Sequence, residues 1–77
     1  MTINVRFFAS LREQIGTGEA QLDFQPTLTA EQVWNISTHD RELPANLLVA
    51  VNQEYVSLNE SIQDGDEVAF FPPVTGG

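Results

Sequence analysis

Hydrophobic and polar residues alternate along several stretches of the chain, and strict alternation is typical of a β-strand with one buried face. In the first stretch, Ile3, Val5 and Phe7 fall on one side and are expected to face the core. Phe8 falls on the opposite side. Alternation, together with one apolar run, predicts five strands, at 3–8, 20–24, 47–51, 54–56 and 67–71. A tight turn at 52–53 is expected between the third and fourth strands.

Two shorter helical segments are also predicted. Ser10 and Glu13 have the spacing of an N-terminal capping box, and Gly16 is a suitable C-terminal stop, so a short helix is expected over 10–15. One further helical turn is expected at 58–62.

The main helix is predicted over 30–38. It begins with a second capping box at Thr29, preceded by a hydrophobic residue in the staple position. Val33 and Ile36 are three residues apart, so they are expected to share the buried face of the helix. Trp34 is expected to lie beside that face.

The order of these elements predicts an α+β fold of the β-grasp type, a mixed sheet with the main helix packed on one face. The first two strands form a hairpin, and the first and last strands are expected to be central neighbours. One domain is predicted over 1–71. Pro72 and Pro73 end the last strand, so 72–77 are expected to form an extended, flexible tail ending in Gly-Gly.

Composition narrows the class of protein. A chain of 77 residues, 42% of them hydrophobic, suits one small globular domain. It has no cysteine, no apolar run of transmembrane length and no basic leader, so we expect a cytoplasmic protein without disulfides or a membrane partner. The net charge is −8, with three arginines and no lysine. This excludes a basic groove for nucleic acid, and it favours either a positively charged partner or simple solubility.

Few residues could carry out catalysis on their own. His39 is the only histidine and lies in a polar segment without metal-ligand spacing, so a structural or solvated role is expected. Asp64, Asp66 and Glu67 lie at a turn signal and lack the order of a calcium loop. We therefore expect no metal site, no intrinsically bound cofactor and no catalysis by the chain alone.

Three aromatic residues and two glycines remain as candidate functional groups. Phe8, Tyr55 and Phe71 are expected at or near the surface, where they would form a docking site, unless the twist of the sheet hides one or two of them. Gly76 and Gly77 have no side chains and could enter a narrow channel. The carboxylate of Gly77 is an anion and a poor electrophile, so another enzyme would have to activate it. The alternative is a frayed tail.

Three segments together resemble one known family, the small subunits of molybdopterin synthase, which are sulfur carriers of the ubiquitin-like β-grasp group. The segments are 5–13 (VRFFASLRE), 50–54 (AVNQE) and 64–77 (DGDEVAFFPPVTGG). They cover a little over a third of the chain, and the last is highly specific. Residues 17–46 are similar to the family only in hydrophobic pattern and helix placement.

The resemblance implies a chemical role for the carboxylate of Gly77, with Gly76 beside it. An activating enzyme of the E1 type would use ATP to adenylate this carboxylate, and a sulfur donor protein would convert the adenylate to a thiocarboxylate. Sulfur would then pass to a cyclic pyranopterin precursor and build the dithiolene of the molybdenum cofactor. The chain would thus be the sulfur-donating subunit of a sulfurtransferase, non-catalytic by itself.

The resemblance also implies partners and contact residues. The large synthase subunit would bind the chain in an assembly of two small and two large subunits. The residues implied to face it are Phe8, Tyr55, Phe71, Pro72, Pro73, Val74 and Thr75. Two features depart from the family: Tyr55 stands where a smaller aliphatic residue is common, and the linker at 38–46 is short.

Three other functions remain open. A sulfur carrier for thiazole synthesis would share the terminus and fold but deliver sulfur to another acceptor. A ubiquitin-like modifier would join Gly77 to a lysine of a target protein. A plain interaction domain would not need its terminal glycines.

Overall fold

The computed structural model describes residues 2–26 and 28–73. Within them the chain forms five strands and two helices. In chain order these are β1 (Thr2–Phe7), α1 (Ser10–Ile15), β2 (Glu19–Asp23), α2 (Ala30–Ser37), β3 (Leu48–Val51), β4 (Glu54–Val56) and β5 (Glu67–Phe71). All five predicted strands are present, and so are the helices predicted over 10–15 and 30–38, with bounds that differ by a few residues at most.

The strands form one mixed sheet in the order β2-β1-β5-β3-β4. The first and last strands are central neighbours, as predicted, and they run parallel, with Phe7 opposite Phe70. The other three pairings, β1 with β2, β3 with β5 and β3 with β4, are antiparallel. The strand that the chain forms last therefore lies in the middle of the sheet.

The core lies between one face of this sheet and helix α2. Trp34 of α2 packs edge-on against Phe7 and Phe70, with ring centroids 6.1 and 5.2 Å away. Its indole nitrogen donates a hydrogen bond of 2.8 Å to the carbonyl oxygen of Arg41, so the segment after the helix is tied to the core. This bond satisfies the one polar atom of a fully buried tryptophan.

The buried face of α2 differs from the prediction. Trp34 is fully buried, whereas Ile36 keeps 46% of its surface exposed. Ala30, Val33 and Trp34 form the buried set, at the i, i+3 and i+4 positions of a single helical face. The prediction that Val33 and Ile36 share the buried face was therefore wrong. The helix is oriented so that Trp34, rather than Ile36, lies in the core beside Val33.

The capping box predicted at Ser10 and Glu13 was also wrong. The residue before helix α1 is Ala9, with φ 54° and ψ −131°, and no side chain caps the helix. Backbone bonds begin the helix instead, with Leu11 N donating to the carbonyl oxygen of Phe8. Gly16 ends the helix in the left-handed conformation, as predicted (φ 92°).

The capping box of the main helix is confirmed. The Thr29 hydroxyl accepts from Gln32 N, and the Gln32 side chain accepts from Thr29 N. The predicted helical turn at 58–62 is absent: this segment carries turns and a bridge to Thr29. Its carbonyl oxygens at Leu58 and Glu60 accept from the first two N–H groups of α2, so the segment completes the helix cap.

Candidate docking face

The side of the sheet turned away from α2 carries the predicted aromatic residues, and we call it the open face. Successive side chains of a strand point to opposite sides. Because Phe7 and Phe70 point into the core, their neighbours Phe8 and Phe71 point outward. Tyr55 lies opposite Ala50 in the β3–β4 pairing, and Ala50 lies opposite Ala69 of β5, so Tyr55 shares this face.

The structure brings the three aromatic rings together. Phe8 and Phe71 stack almost parallel, with centroids 4.7 Å apart and an interplanar angle of 5°. Tyr55 lies on the other side of Phe71, with centroids 6.0 Å apart. Phe8 is 39% exposed and Tyr55 71% exposed, while Phe71 is half-buried between them. Their clustering meets the expectation of a surface patch, and its docking role stays a prediction.

A groove of about 440 Å³ runs beside the rings. Its floor is formed by Ala50 and Ala69, which lie opposite each other in the β3–β5 pairing. Arg6 and Glu67 form an ion pair at its polar end, where both side chains are substantially exposed. The small alanines leave the space that the larger side chains around them enclose, so the open face can receive an apolar side chain.

A hydrogen-bonded turn fixes the position of Tyr55 relative to β5. Asn52 and Gln53 both have positive φ, 51° and 73°, which makes the tight hairpin turn predicted at 52–53. The Asn52 side chain accepts from Glu67 N at 3.0 Å and donates to the Asp66 carboxylate at 2.9 Å. The turn is thus fastened to the start of β5.

Sequence reasoning did not identify this fastening or the alanine floor. Both depend on which strands are neighbours and in what register, which alternation within one strand does not give. The asparagine at the first position of a two-residue turn was the one available signal for Asn52, because asparagine tolerates positive φ and can bond nearby backbone.

The remaining predicted site residues come immediately after β5 along the chain. Pro72 and Pro73 continue the chain after Phe71 and are partly buried. The four others, Val74, Thr75, Gly76 and Gly77, lie outside the described residues.

The three aromatic rings of the open face form a contact surface. Among residues 2–26 and 28–73, no group of three or more His, Asp or Glu side chains could hold a metal ion. His39 is exposed in the loop after α2. No helix in the described part of the chain is long and apolar enough to cross a membrane. The open face is therefore the candidate functional site.

The sequence matches the model of the ThiS family over residues 5–77. It is 49% identical to the molybdopterin synthase sulfur carrier subunit of Escherichia coli, and the match covers 97% of this chain and 99% of that relative. The family match extends over the segment 72–77 and over the strands β3, β4 and β5 that carry Ala50, Tyr55 and Phe71 of the open face.

Solved structures share the fold. The small archaeal modifier protein 1 of Haloferax volcanii superposes with a TM-score of 0.78 at 28% identity, over 95% of this chain and 98% of that one. Subunit 1 in the complex of subunits 1 and 2 of the molybdopterin-converting factor from Helicobacter pylori gives 0.66 at 25% identity, over the full length of both chains. These likenesses confirm the ubiquitin-like β-grasp. The chain therefore belongs to the ThiS family, among the molybdopterin synthase sulfur carrier subunits.

Proposed function

We propose that this chain carries sulfur as a thiocarboxylate on Gly77 and donates it to a cyclic pyranopterin precursor, which becomes the molybdopterin dithiolene. The observation that supports this most is the aromatic open face at the end of β5, where Pro72 and Pro73 lead the chain onward toward its terminal glycines. A rigid contact surface thus adjoins a short glycine-ended segment.

The chemistry requires activation by other proteins. In the first step an oxygen of the Gly77 carboxylate attacks the α-phosphorus of ATP, and pyrophosphate leaves. In the second, hydrosulfide released by a donor protein attacks the carbonyl carbon, the C–O bond to AMP breaks and AMP leaves, and loss of the S–H proton gives the thiocarboxylate. The resulting thiocarboxylate is a softer nucleophile than the carboxylate. ATP therefore belongs to the activating enzyme, and no cofactor is assigned to this chain.

The open face is the surface we assign to the large synthase subunit. The neighbour from Helicobacter pylori is a complex of subunits 1 and 2, which supports a partner of this kind. Phe8, Phe71 and Tyr55 supply the rigid aromatic contacts that dominate binding at many protein interfaces. The assembly we propose contains two small and two large subunits.

The length of the segment after β5 suits delivery into a buried site. Residues 72–77 can span at most about 20 Å at 3.3–3.6 Å per residue. The folded body can therefore stay at the mouth of the partner's site while Gly77 reaches the substrate. Glycines at 76 and 77 minimise the width of the chain at its end.

The decisive experiment is intact-protein mass spectrometry after incubation with ATP, the activating enzyme and a sulfur source. The expected result is a mass gain equal to replacing one oxygen by one sulfur, mapped to Gly77. A variant that lacks Gly76 and Gly77 is the matched control, and we expect no gain and unchanged thermal stability. Absence of a gain in the full chain, with an activating enzyme shown to be active on another carrier, would overturn the proposal.

A separate experiment is needed to identify the molecule that accepts the sulfur. Adding the large subunit and the pyranopterin precursor to the thiocarboxylated chain should form the dithiolene product and return the terminus to a carboxylate. A loaded chain that delivers its sulfur only to a thiazole-forming enzyme would point to thiamine synthesis instead.

A protein modifier is the second candidate, favoured by the likeness to the archaeal modifier protein. In that role Gly77 would form an isopeptide bond with a lysine of a target. The protein has no lysine of its own, so Gly77 of one copy cannot form an isopeptide bond with a lysine of another copy. Adducts that survive denaturing electrophoresis, and that after tryptic digestion carry residues 42–77 of this chain on a lysine of the target, would establish this role.

A further inference from the structure

The three arginines of this acidic chain differ in what they contact. Arg6 pairs with Glu67, and Arg41 donates through Nη2 to the carbonyl oxygen of Gln14 at 3.0 Å. Arg12 is exposed and forms no ion pair with a carboxylate of residues 2–26 and 28–73. In a chain of net charge −8, a cation without an acidic partner requires an explanation.

The backbone at Gly18 is shaped around the Arg12 side chain. A Cβ added at Gly18 would lie 3.0 Å from Arg12 Nε, 3.3 Å from Cδ and 3.4 Å from Cζ. Among the described glycines only Gly16 and Gly65 have positive φ, so Gly18 does not need to be glycine for its conformation. The missing Cβ at Gly18 leaves room for the guanidinium end of Arg12 to lie against the backbone there.

Arg12 lies at the edge of the open face. It lines a depression of about 430 Å³ together with Gly18 and Phe8. Phe8 and Arg6 line both this depression and the groove beside the aromatic rings. A protein that covers Phe8 and Phe71 would therefore also approach the guanidinium of Arg12.

A purely local role in helix α1 does not account for this arrangement. A cation in the last turn of a helix can bond the free carbonyl oxygens there. Here the carbonyl oxygen of Arg12 accepts from Gly16 N, and that of Gln14 accepts from Arg41. The Arg12 side chain lies against Gly18 instead.

We propose that Arg12 binds a carboxylate side chain of the large synthase subunit at the rim of the open face, and that Gly18 holds Arg12 in place for this contact. The inference rests on the assignment of the open face to that subunit. A planar guanidinium can form two parallel hydrogen bonds with a carboxylate, which fixes the orientation of the two proteins as well as adding affinity.

The test is the dissociation constant for the large subunit of the same organism, measured calorimetrically for matched variants of the full chain. We expect Arg12→Gln to weaken binding about tenfold to a hundredfold, as for a lost charge-assisted hydrogen bond. Gln25→Glu is the control: it changes the net charge by the same amount at an exposed site beyond the other end of β2. It should change binding by no more than about twofold.

Two further variants separate the geometry from the charge. Arg12→Lys keeps the charge but loses the planar fork, and it should weaken binding by less than Arg12→Gln. Gly18→Ala keeps Arg12 but displaces its side chain, and it should weaken binding several-fold with little change in melting temperature.

The results that would overturn this inference differ from those that would overturn the proposed function. Equal effects of Arg12→Gln and Gln25→Glu would overturn the inference, as would a loss of binding matched by a loss of thermal stability, since Arg12 would then act within the fold. A loss confined to the activating enzyme would overturn the assignment to the large subunit. Failure of the unmodified chain to bind the large subunit would instead overturn the proposed function.

Discussion

Two phenylalanine pairs, one on each side of the sheet, allow a direct comparison. Phe7 and Phe70 lie opposite each other in the β1–β5 pairing, and their rings stack in the core with centroids 5.9 Å apart. Phe8 directly follows β1 and Phe71 is the last residue of β5, each one position after a member of the inner pair, and they stack at 4.7 Å on the open face. The first pair is at most 2% exposed, whereas Phe8 is 39% exposed.

The difference separates aromatic surface that is buried in the core from aromatic surface that stays accessible to a partner. Burial of the inner pair removes its apolar surface from water, which stabilises the folded state, and both rings also contact Trp34. In the outer pair Phe8 is exposed and Phe71 is half-buried, so folding leaves part of this apolar stack in contact with water. Residues of the same type, one position apart, thus have different environments because side chains alternate along a strand.

The largest expected effect is on the inner pair. Phe70→Ala should lower the free energy of unfolding by about 3–5 kcal/mol, through lost burial and a cavity beside Trp34. Phe71→Ala should lower it by less than about 1 kcal/mol. Urea unfolding followed by circular dichroism measures both. If Phe70→Ala does not fold, Phe70→Leu should still lose about 1–3 kcal/mol, and equal losses for the two positions would break the comparison.

The next effect is on binding. Phe71→Arg should weaken association with the large synthase subunit by about 2 kcal/mol or more, because it places a charge at the centre of the aromatic cluster. Its far-UV circular dichroism spectrum should match that of the unchanged protein. An unfolded spectrum would show instead that Phe71 belongs to the core.

A smaller effect is expected at the tryptophan. Trp34→Phe removes the N–H that donates to the Arg41 carbonyl oxygen and leaves a small void, so the free energy of unfolding should fall by about 1–3 kcal/mol. Binding to the large subunit should be unchanged, as measured by calorimetry at a temperature where the variant is folded. A loss of affinity would mean that the core and the open face are coupled.

The smallest effect is expected at Ile36, which is exposed on α2 and not on the open face. Ile36→Gln should change the free energy of unfolding by no more than about 0.5 kcal/mol and leave binding unchanged. It tests whether any exposed apolar residue serves as a contact. Weaker binding would extend the interface to the helical side of the protein.

Much of the fold could be predicted because local rules agreed with one another. Alternation placed Phe7 inside and Phe8 outside, and the capping box at Thr29 located the start of α2. Where two helical spacings were both possible, the sequence did not determine which residues face the core. Val33 fits a buried face with either Trp34 or Ile36, and the choice depends on which side chain fills the space above Phe7 and Phe70.

The candidate site could be predicted in its residues but not in its shape. The sequence predicted that Phe8, Tyr55 and Phe71 lie at or near the surface, and in the structure Phe8 and Tyr55 are exposed while Phe71 is half-buried. The stacking of the rings and the floor at Ala50 and Ala69 follow from strand order and register, which are properties of the assembled sheet. The relation between Arg12 and Gly18 is likewise a contact between a helix and a strand connection, and no spacing rule predicts it.

The central position of β5 has a consequence for biosynthesis. This strand leaves the ribosome last among the five, yet it lies between β1 and β3, and Phe70 pairs with a residue near the opposite end of the chain. Such long-range pairing forms slowly and only after nearly the whole chain is available. A nascent chain interrupted before Glu67 lacks the middle of its sheet, so it stays unfolded and open to proteolysis. Such a truncated product also lacks Phe71, so it cannot form the aromatic cluster of the open face.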